Sequence, residues 1–459
     1  MQPMSLGTIA EVVDGRLEQV PDADAIVTGP LVVDSRKVTP GALFVAFDGE
    51  RADGHDYAAG AVAAGAAGVL GSRPCGATAV LVSDVLAALA KLTRWQTARM
   101  HGVTRIGVTG SSGKTSTKDL FAQVLARAGV THATAGSQNN EIGVPLTVAS
   151  CPADARFLVL EMGARGIGHL TYLTDMAPLD VAVVLNVGAA HAGEFGSKED
   201  TAKAKGELPA SLTAHGLAVL NADDALVAPM AARTSAQVVF FGRCETAQIR
   251  ATDVSLDEGG RAAFLLTTPA GQARVQLQLL GDHHVSNALA VAAVAHHAGL
   301  APAEIADALS HAVASTGSRM QRHDRPDGVT VIDDAYNANP DSMAAALRAL
   351  AAMRAGRRTV AVLGEMRELG AGSAGEHRTV GALAAELGTD IVVAVGDGDA
   401  AHTAAGARDG GAQTHLVTDR QAAARLLDDL LRPGDLVIVK ASLSAGLQAL
   451  VKDLVAAPT

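Results

Sequence analysis

The segment TGSSGKTSTK, residues 109–118, combines small residues with a lysine and a hydroxyl in the order a phosphate-binding turn requires. Small residues let backbone N–H groups and a helix N-terminus point at an anion. Lys114 would then reach the β- and γ-phosphates of a nucleotide, and the Thr115 hydroxyl would ligate Mg²⁺. The turn is the short TGxxGKT form, with Val108 where the longer G-x-x-x-x-G-K-[ST] pattern has its first glycine. Glu161 closes the apolar run FLVLE, so its carboxylate falls at the C-terminal end of a buried strand. That is where parallel sheets bind ligands, and oxygen is what a hard cation needs. His191 follows another apolar run, and Lys203 and Lys205 lie on a helix-like stretch beyond it. By residue type alone, a loop histidine and a solvated helix face are the plainer readings of these three.

The elements that must position these groups fall into three zones, expected at residues 1–101, 102–317 and 318–459. The first holds short strands (ALFVAF, ATAVLVS) and closes with the helical DVLAALAKLTRWQTARM. The second opens on VTRIGVTG and repeats continuous apolar runs such as FLVLEM, DVAVVLNV and GLAVLN, which read as parallel strands buried on both faces. Leu120, Phe121, Val124 and Leu125 share one face of the helix leaving the glycine turn, with Gly129 as its expected C-cap. Residues 250–280 alternate and predict a small antiparallel patch. The third zone alternates strands (VTVIDDA, TVAVLGE, DIVVAVG, DLVIVK) with helices, as in a Rossmann-type domain. RHDRPDG, residues 322–328, reads as a polar loop at the boundary. The expected class is α/β: a small N-terminal α/β domain, a central parallel-sheet ATPase domain and a C-terminal Rossmann-like domain.

Composition narrows the function. A net charge of −11 and 3% aromatic residues disfavour nucleic acid and anionic membranes, because basic surfaces and stacking platforms are both scarce. Three widely spaced cysteines suggest neither a disulfide framework nor a CxxC metal site. No apolar run is long enough to span a bilayer, and the N-terminus lacks a signal core. A cytoplasmic protein is expected.

Several motifs in this order resemble the Mur ligases: TGSSGKTSTK, NNEIGVP (139–145), EMGA (161–164), NVGAAH with GEFGS and AKAKGE, GDHHVSNALA (281–290), SRM (318–320) and DDAYNANPDSM (333–343). The resemblance covers all three zones. It implies an ATP-dependent ligase with two Mg²⁺ sites. The backbone of Gly110, Ser111, Ser112, Gly113, Lys114, Thr115 and Ser116 would hold the ATP phosphates, and Asn287 and Asp334 would contact the nucleotide. Thr115 and Glu161 would ligate one Mg²⁺. His191 and a carbamylated Lys205, favoured over Lys203 by its spacing from His191 and its preceding alanine, would hold the second. Arg319 would reach the γ-phosphate, joining Lys114, Lys205 and His191 as the catalytic set.

Within the family, DSRKVTPGALFVAFDGERADGHDY (34–57), DDAYNANPDSM and LGEMRELG (363–370) resemble the branch that adds D-alanyl-D-alanine to a UDP-linked muramoyl tripeptide. Ser35, Arg36, Asn139, Asn140, Asn337 and Asn339 would touch substrate, and a monomer is expected. The alternative is the branch adding the third amino acid, which usually carries a DNPR motif that is not found here. A folate-type ligase would lack the 34–57 segment, and a switch-type NTPase would need no such metal set. The chain departs from the family at His169, where an acidic residue is frequent, and at KASLSAG (440–446), where Leu443 stands at the usual arginine.

Overall fold

The structure, a computed structural model, describes residues 1–49, 52–188 and 196–456. Its described strands form three principal sheets and one short two-stranded pair. The N-terminal sheet runs in the order Arg16–Glu18, Ala79–Leu81, Gly68–Gly71, Leu43–Val45, Leu31–Val32, parallel except at its first pairing. Helix Val85–Thr97, capped by the Asp84 side chain, leads out of it.

The central sheet places strand Thr104–Thr109 between Phe157–Glu161 and Val181–Val184, all in parallel register. Burial on both faces explains the unbroken apolar runs. Phe157 and Val159 pack with Leu120, Phe121 and helix His283–His297, whereas Leu158 and Leu160 face Val144, Leu170 and Leu173 on the opposite side. The alternating segment does form antiparallel strands, Ile249–Leu256, Arg261–Thr268 and Gly271–Leu280. They do not make a separate patch. Ile249–Leu256 pairs with Gln237–Gly242 and so extends the same sheet. Their solvated face produces the alternation. The helix after the glycine turn is Lys114–Leu125 with Ala126 at its C-cap, so it stops short of Gly129.

The C-terminal sheet runs Gln321–Asp324, Thr330–Asp334, Leu436–Lys440, Thr359–Gly364, Ile391–Val395, Gln413–Val417, parallel after the first pairing. The expected loop 322–328 is therefore half strand. Gln321–Asp324 pairs antiparallel with Thr330–Asp334 at the sheet edge. An edge strand is held by backbone hydrogen bonds on one side and keeps polar side chains in water, so its sequence looks like a loop. No described helix is long and apolar enough to cross a membrane.

Candidate active site

The C-terminal ends of the central and C-terminal sheets face one cavity of about 450 Å³. The phosphate turn forms its floor. Gly113 caps helix Lys114–Leu125 with φ 81°, a left-handed conformation that suits glycine. A Cβ there would come within 2.6 Å of Asn287 Oδ1, so only glycine lets that asparagine approach the turn. Lys114 Nζ donates to the Gly110 carbonyl at 2.6 Å. Asn186 braces the other side: its Oδ1 accepts from Ser112 N at 2.9 Å and its Nδ2 donates to the Ser112 carbonyl at 3.2 Å. Ser111 Oγ accepts from Gly188 N at 2.8 Å. The turn is thus fixed by the end of the neighbouring strand.

Glu161 is 1% exposed at the end of its strand. Asn139 Nδ2 donates to its Oε1 at 2.8 Å, while its Oε2 is buried with no hydrogen-bond partner among the described residues. A buried carboxylate oxygen left so is costly unless a cation or donor meets it. Lys205 is 2% exposed, near the end of helix Lys198–Lys205, and makes no hydrogen bond or ion pair among the described residues. Burial drives its pKa well below the ordinary lysine value, and Lys114 adds to the drop. Lys203, by contrast, is exposed and paired with Asp200 at 2.8 Å. Burial also lowers the pKa of Lys114, with the Glu161 charge opposing and Arg319 assisting. Among the described residues no group of three or more His, Cys, Asp or Glu side chains is placed to hold a metal.

The C-terminal side supplies the opposite wall. Arg319 Nη2 donates to Thr115 Oγ1 at 2.9 Å, and its guanidinium carbon lies 4.3 Å from the Tyr336 ring centroid. Tyr336 in turn hydrogen-bonds Ser137 of the central side. Asp334 Oδ2 accepts from Lys440 Nζ at 2.6 Å, and its Oδ1 accepts from Met320 N at 3.2 Å. Asn339 caps helix Pro340–Ala352 through Ser342 N at 2.9 Å. Asn287 Nδ2 lies 3.2 Å from His284 Nδ1, whose pKa burial pushes well below the usual imidazole value, with His283 and Arg319 contributing. The arrangement gathers buried cations, a carboxylate and a phosphate turn between two sheets, which suits transfer of a phosphoryl group away from water.

Comparison with known proteins agrees with this geometry. Family models match three consecutive segments: "Mur ligase family, catalytic domain" over 31–94, "Mur ligase middle domain" over 108–295 and "Mur ligase, glutamate ligase domain" over 318–443. The UDP-N-acetylmuramoyl-tripeptide–D-alanyl-D-alanine ligase of Mycobacterium tuberculosis H37Rv is 47% identical, with 100% of this chain and 99% of the relative covered. The chain belongs to the Mur ligase family. Its fold is that of solved three-domain relatives. MurF from Acinetobacter baumannii superposes with a TM-score of 0.89 at 31% identity over 99% of both chains. MurF from Thermotoga maritima, solved with ADP, gives 0.79 at 28% identity over 94% of this chain and 97% of that one.

Of the residues anticipated from sequence, the cavity lining brings together Ser111, Ser112, Gly113, Lys114, Thr115, Ser116, Asn139, Asn140, Glu161, Lys205, Asn287, Arg319, Asp334, Asn337 and Asn339. Gly110 stands just behind, as the acceptor for Lys114. Ser35 and Arg36 do not line this cavity. They sit on the turn Ser35–Lys37 capped by Asp34, with Arg36 held on Asp34 at 2.8 Å. His191 lies outside the described residues. Sequence reasoning passed over Asn186, Tyr336 and Lys440, although each ends a strand or sits within a quoted motif. Closer attention to strand C-termini would have raised all three. His169, the departure noted in the sequence, lines the cavity with Nε2 at 3.3 Å from Glu141.

Proposed function

We propose that this chain joins D-alanyl-D-alanine to the terminal carboxylate of UDP-N-acetylmuramoyl tripeptide with cleavage of ATP to ADP and phosphate, completing the pentapeptide precursor of peptidoglycan. The observation that carries the assignment of roles is the meeting of Lys114, Arg319 and Thr115 at the helix N-terminus, opposite Glu161. The tripeptide carboxylate oxygen attacks the γ-phosphorus, the bond to the β-phosphate oxygen breaks, and ADP leaves with the bonding pair. The dipeptide amine then attacks the acyl carbon, loses a proton and expels inorganic phosphate. Lys114 and Arg319 stabilise charge on the transferring group, and the walls of the cavity keep water from the acyl phosphate.

Mg²⁺ fits the residues present. The Oε2 of Glu161, unpartnered among the described residues, and the Thr115 hydroxyl offer hard oxygen ligands, and phosphate oxygens would complete the shell, as Mg²⁺ sites commonly require. The ion would supply charge neutralisation on the phosphates. A second site would use a carbamate on Lys205 together with His191. Burial lowers the Lys205 pKa and so favours the neutral form of its amine. A neutral amine adds CO₂ and releases a proton, which turns a nitrogen base into an anionic oxygen ligand. Asn287 and Asp334 would address the nucleotide, and Asn139, Asn140, Asn337 and Asn339 the acceptor and dipeptide. Ser35 and Arg36 would hold the uridine diphosphate. We place the domain limits at 1–101, 102–317 and 318–459, where irregular backbone joins the sheets, and take the working unit to be a cytoplasmic monomer.

The test is phosphate release from MgATP by the purified protein. Release should need both the UDP-linked tripeptide and D-alanyl-D-alanine, with a pentapeptide product by mass. Release with a UDP-linked dipeptide and a single diamino acid would move the assignment to the third-residue ligase. Release without any acceptor carboxylate would overturn the ligase reading.

A further inference from the structure

The linker that delivers Arg319 lies along the helix that begins at the phosphate turn, and the two are fastened once per helical turn. Thr115, Asp119, Gln123 and Arg127 follow one another at intervals of four, which places them along one side of the helix and its C-terminal turn. Each meets the segment 307–319 in reverse order. Thr115 Oγ1 accepts from Arg319 Nη2, and Asp119 Oδ2 accepts from Thr316 N at 2.9 Å. Gln123 Oε1 accepts from Val313 N at 3.0 Å while its Nε2 donates to the Val313 carbonyl at 2.8 Å. Arg127 pairs with Asp307 at 2.8 Å.

Asp307 lies on helix Pro302–His311, but beyond His311 the linker has no regular structure of its own, so its backbone groups must find partners elsewhere. Asp119 is 5% exposed, and Lys118, also buried, compensates its charge. On the far side Ser318 Oγ donates to Asp333 Oδ2 at 2.8 Å, and Met320 N donates to Asp334. Ser318 and Met320 both adopt positive φ, 58° and 53°. Such backbone persists in non-glycine residues only when its surroundings hold it. Arg319 is therefore mounted between two anchors, one on the phosphate helix and one on the C-terminal sheet.

We infer that Asp119 and Gln123 are positioning residues, which set the register of the linker so that Arg319 meets Thr115. This rests on the proposed role of Arg319 at the transferring phosphate. The test compares kcat for phosphate release in wild type, Asp119→Ala, Arg319→Ala and the double variant, all full-length. Asp119→Ala should lower kcat about tenfold, because small misplacement of a positioned group is costly, and leave KM for the dipeptide within about twofold. In the Arg319→Ala background the same change should cost less than about twofold, since the two act as one unit. Asp119→Asn, which keeps an acceptor oxygen, should recover most of the activity. Equal losses in both backgrounds would overturn the inference alone. Wild-type kcat in Arg319→Ala would overturn it together with the role assigned to Arg319. Should Asp119→Ala fail to fold by circular dichroism, the half-buried Gln123→Ala replaces it in the same double-mutant cycle, where equal losses in both backgrounds again overturn the inference.

Discussion

Lys114, Glu161 and Lys205 on the central wall of the cavity, and Asp334 and Lys440 on the C-terminal wall, all stand at the ends of strands or helices, but their charges are held differently. On the C-terminal wall the charges answer each other: Asp334 takes Lys440 and a backbone N–H, and Lys440 also reaches the Asn337 carbonyl at 2.8 Å. On the central wall Lys205 has no acidic partner and Glu161 leaves one oxygen unmet among the described residues. A wall with satisfied charges is built to be rigid. A wall with uncompensated ones is built for charges that arrive with substrate, and it is less stable for that reason.

The sharpest probe of the central wall is Lys114→Ala, expected to lower kcat for phosphate release about a thousandfold, in line with loss of one preorganised donor to a transition-state charge. Retention of even a tenth of the activity would break the central-wall reading.

Lys205→Met should lose about a hundredfold in activity and yet raise the melting temperature, because a buried lysine without a partner among the described residues is exchanged for an apolar side chain. The pH sign follows from burial. The folded pKa of Lys205 lies below the ordinary 10.5, so the neutral amine persists below that pH and is lost as pH falls through the folded value. Activity should drop on that acid limb, added bicarbonate should shift the drop to lower pH, and a ¹³C carbamate resonance should appear in wild type only. Lys203→Ala should do none of this.

Asp334→Ala reverses the pattern. It strands buried Lys440, so it should cost about 3 kcal/mol of stability, seen in thermal melts, while raising KM for ATP about tenfold. A variant as stable as wild type would erase the contrast between the walls.

Asn186→Ala removes a brace rather than a charge and should raise KM for ATP about fivefold, the value of roughly one hydrogen bond, with kcat little changed. Arg36→Ala, far out on an exposed turn, should raise KM for the UDP-linked substrate about threefold and leave KM for ATP unaltered, because a largely solvated charge contributes little. An effect of either on the other substrate would show that the sites communicate.

Much of this was legible in order along the chain. The phosphate turn, the strand-end Glu161 and the alternating strands announce themselves because local rules decide them: glycine for close approach, apolar runs for strands buried on both faces. Where a polar segment lies at a sheet edge the rules invert, and Gln321–Asp324 passes for a loop. The antiparallel strands from Ile249 to Leu280 show the same limit at larger scale, since periodicity reveals a solvated face but not the neighbour across the sheet edge.

The sequence by itself determined the phosphate turn, the succession of α/β units and the family to which they belong, because these depend on residues close together in the chain. Only the tertiary structure decided that Lys205 is buried while Lys203 is solvated, that Asn186 braces the turn, and that Arg319 reaches Thr115. Each of those depends on groups separated by tens to hundreds of residues, and burial and hydrogen-bond partners are fixed by packing, not by spacing along the chain.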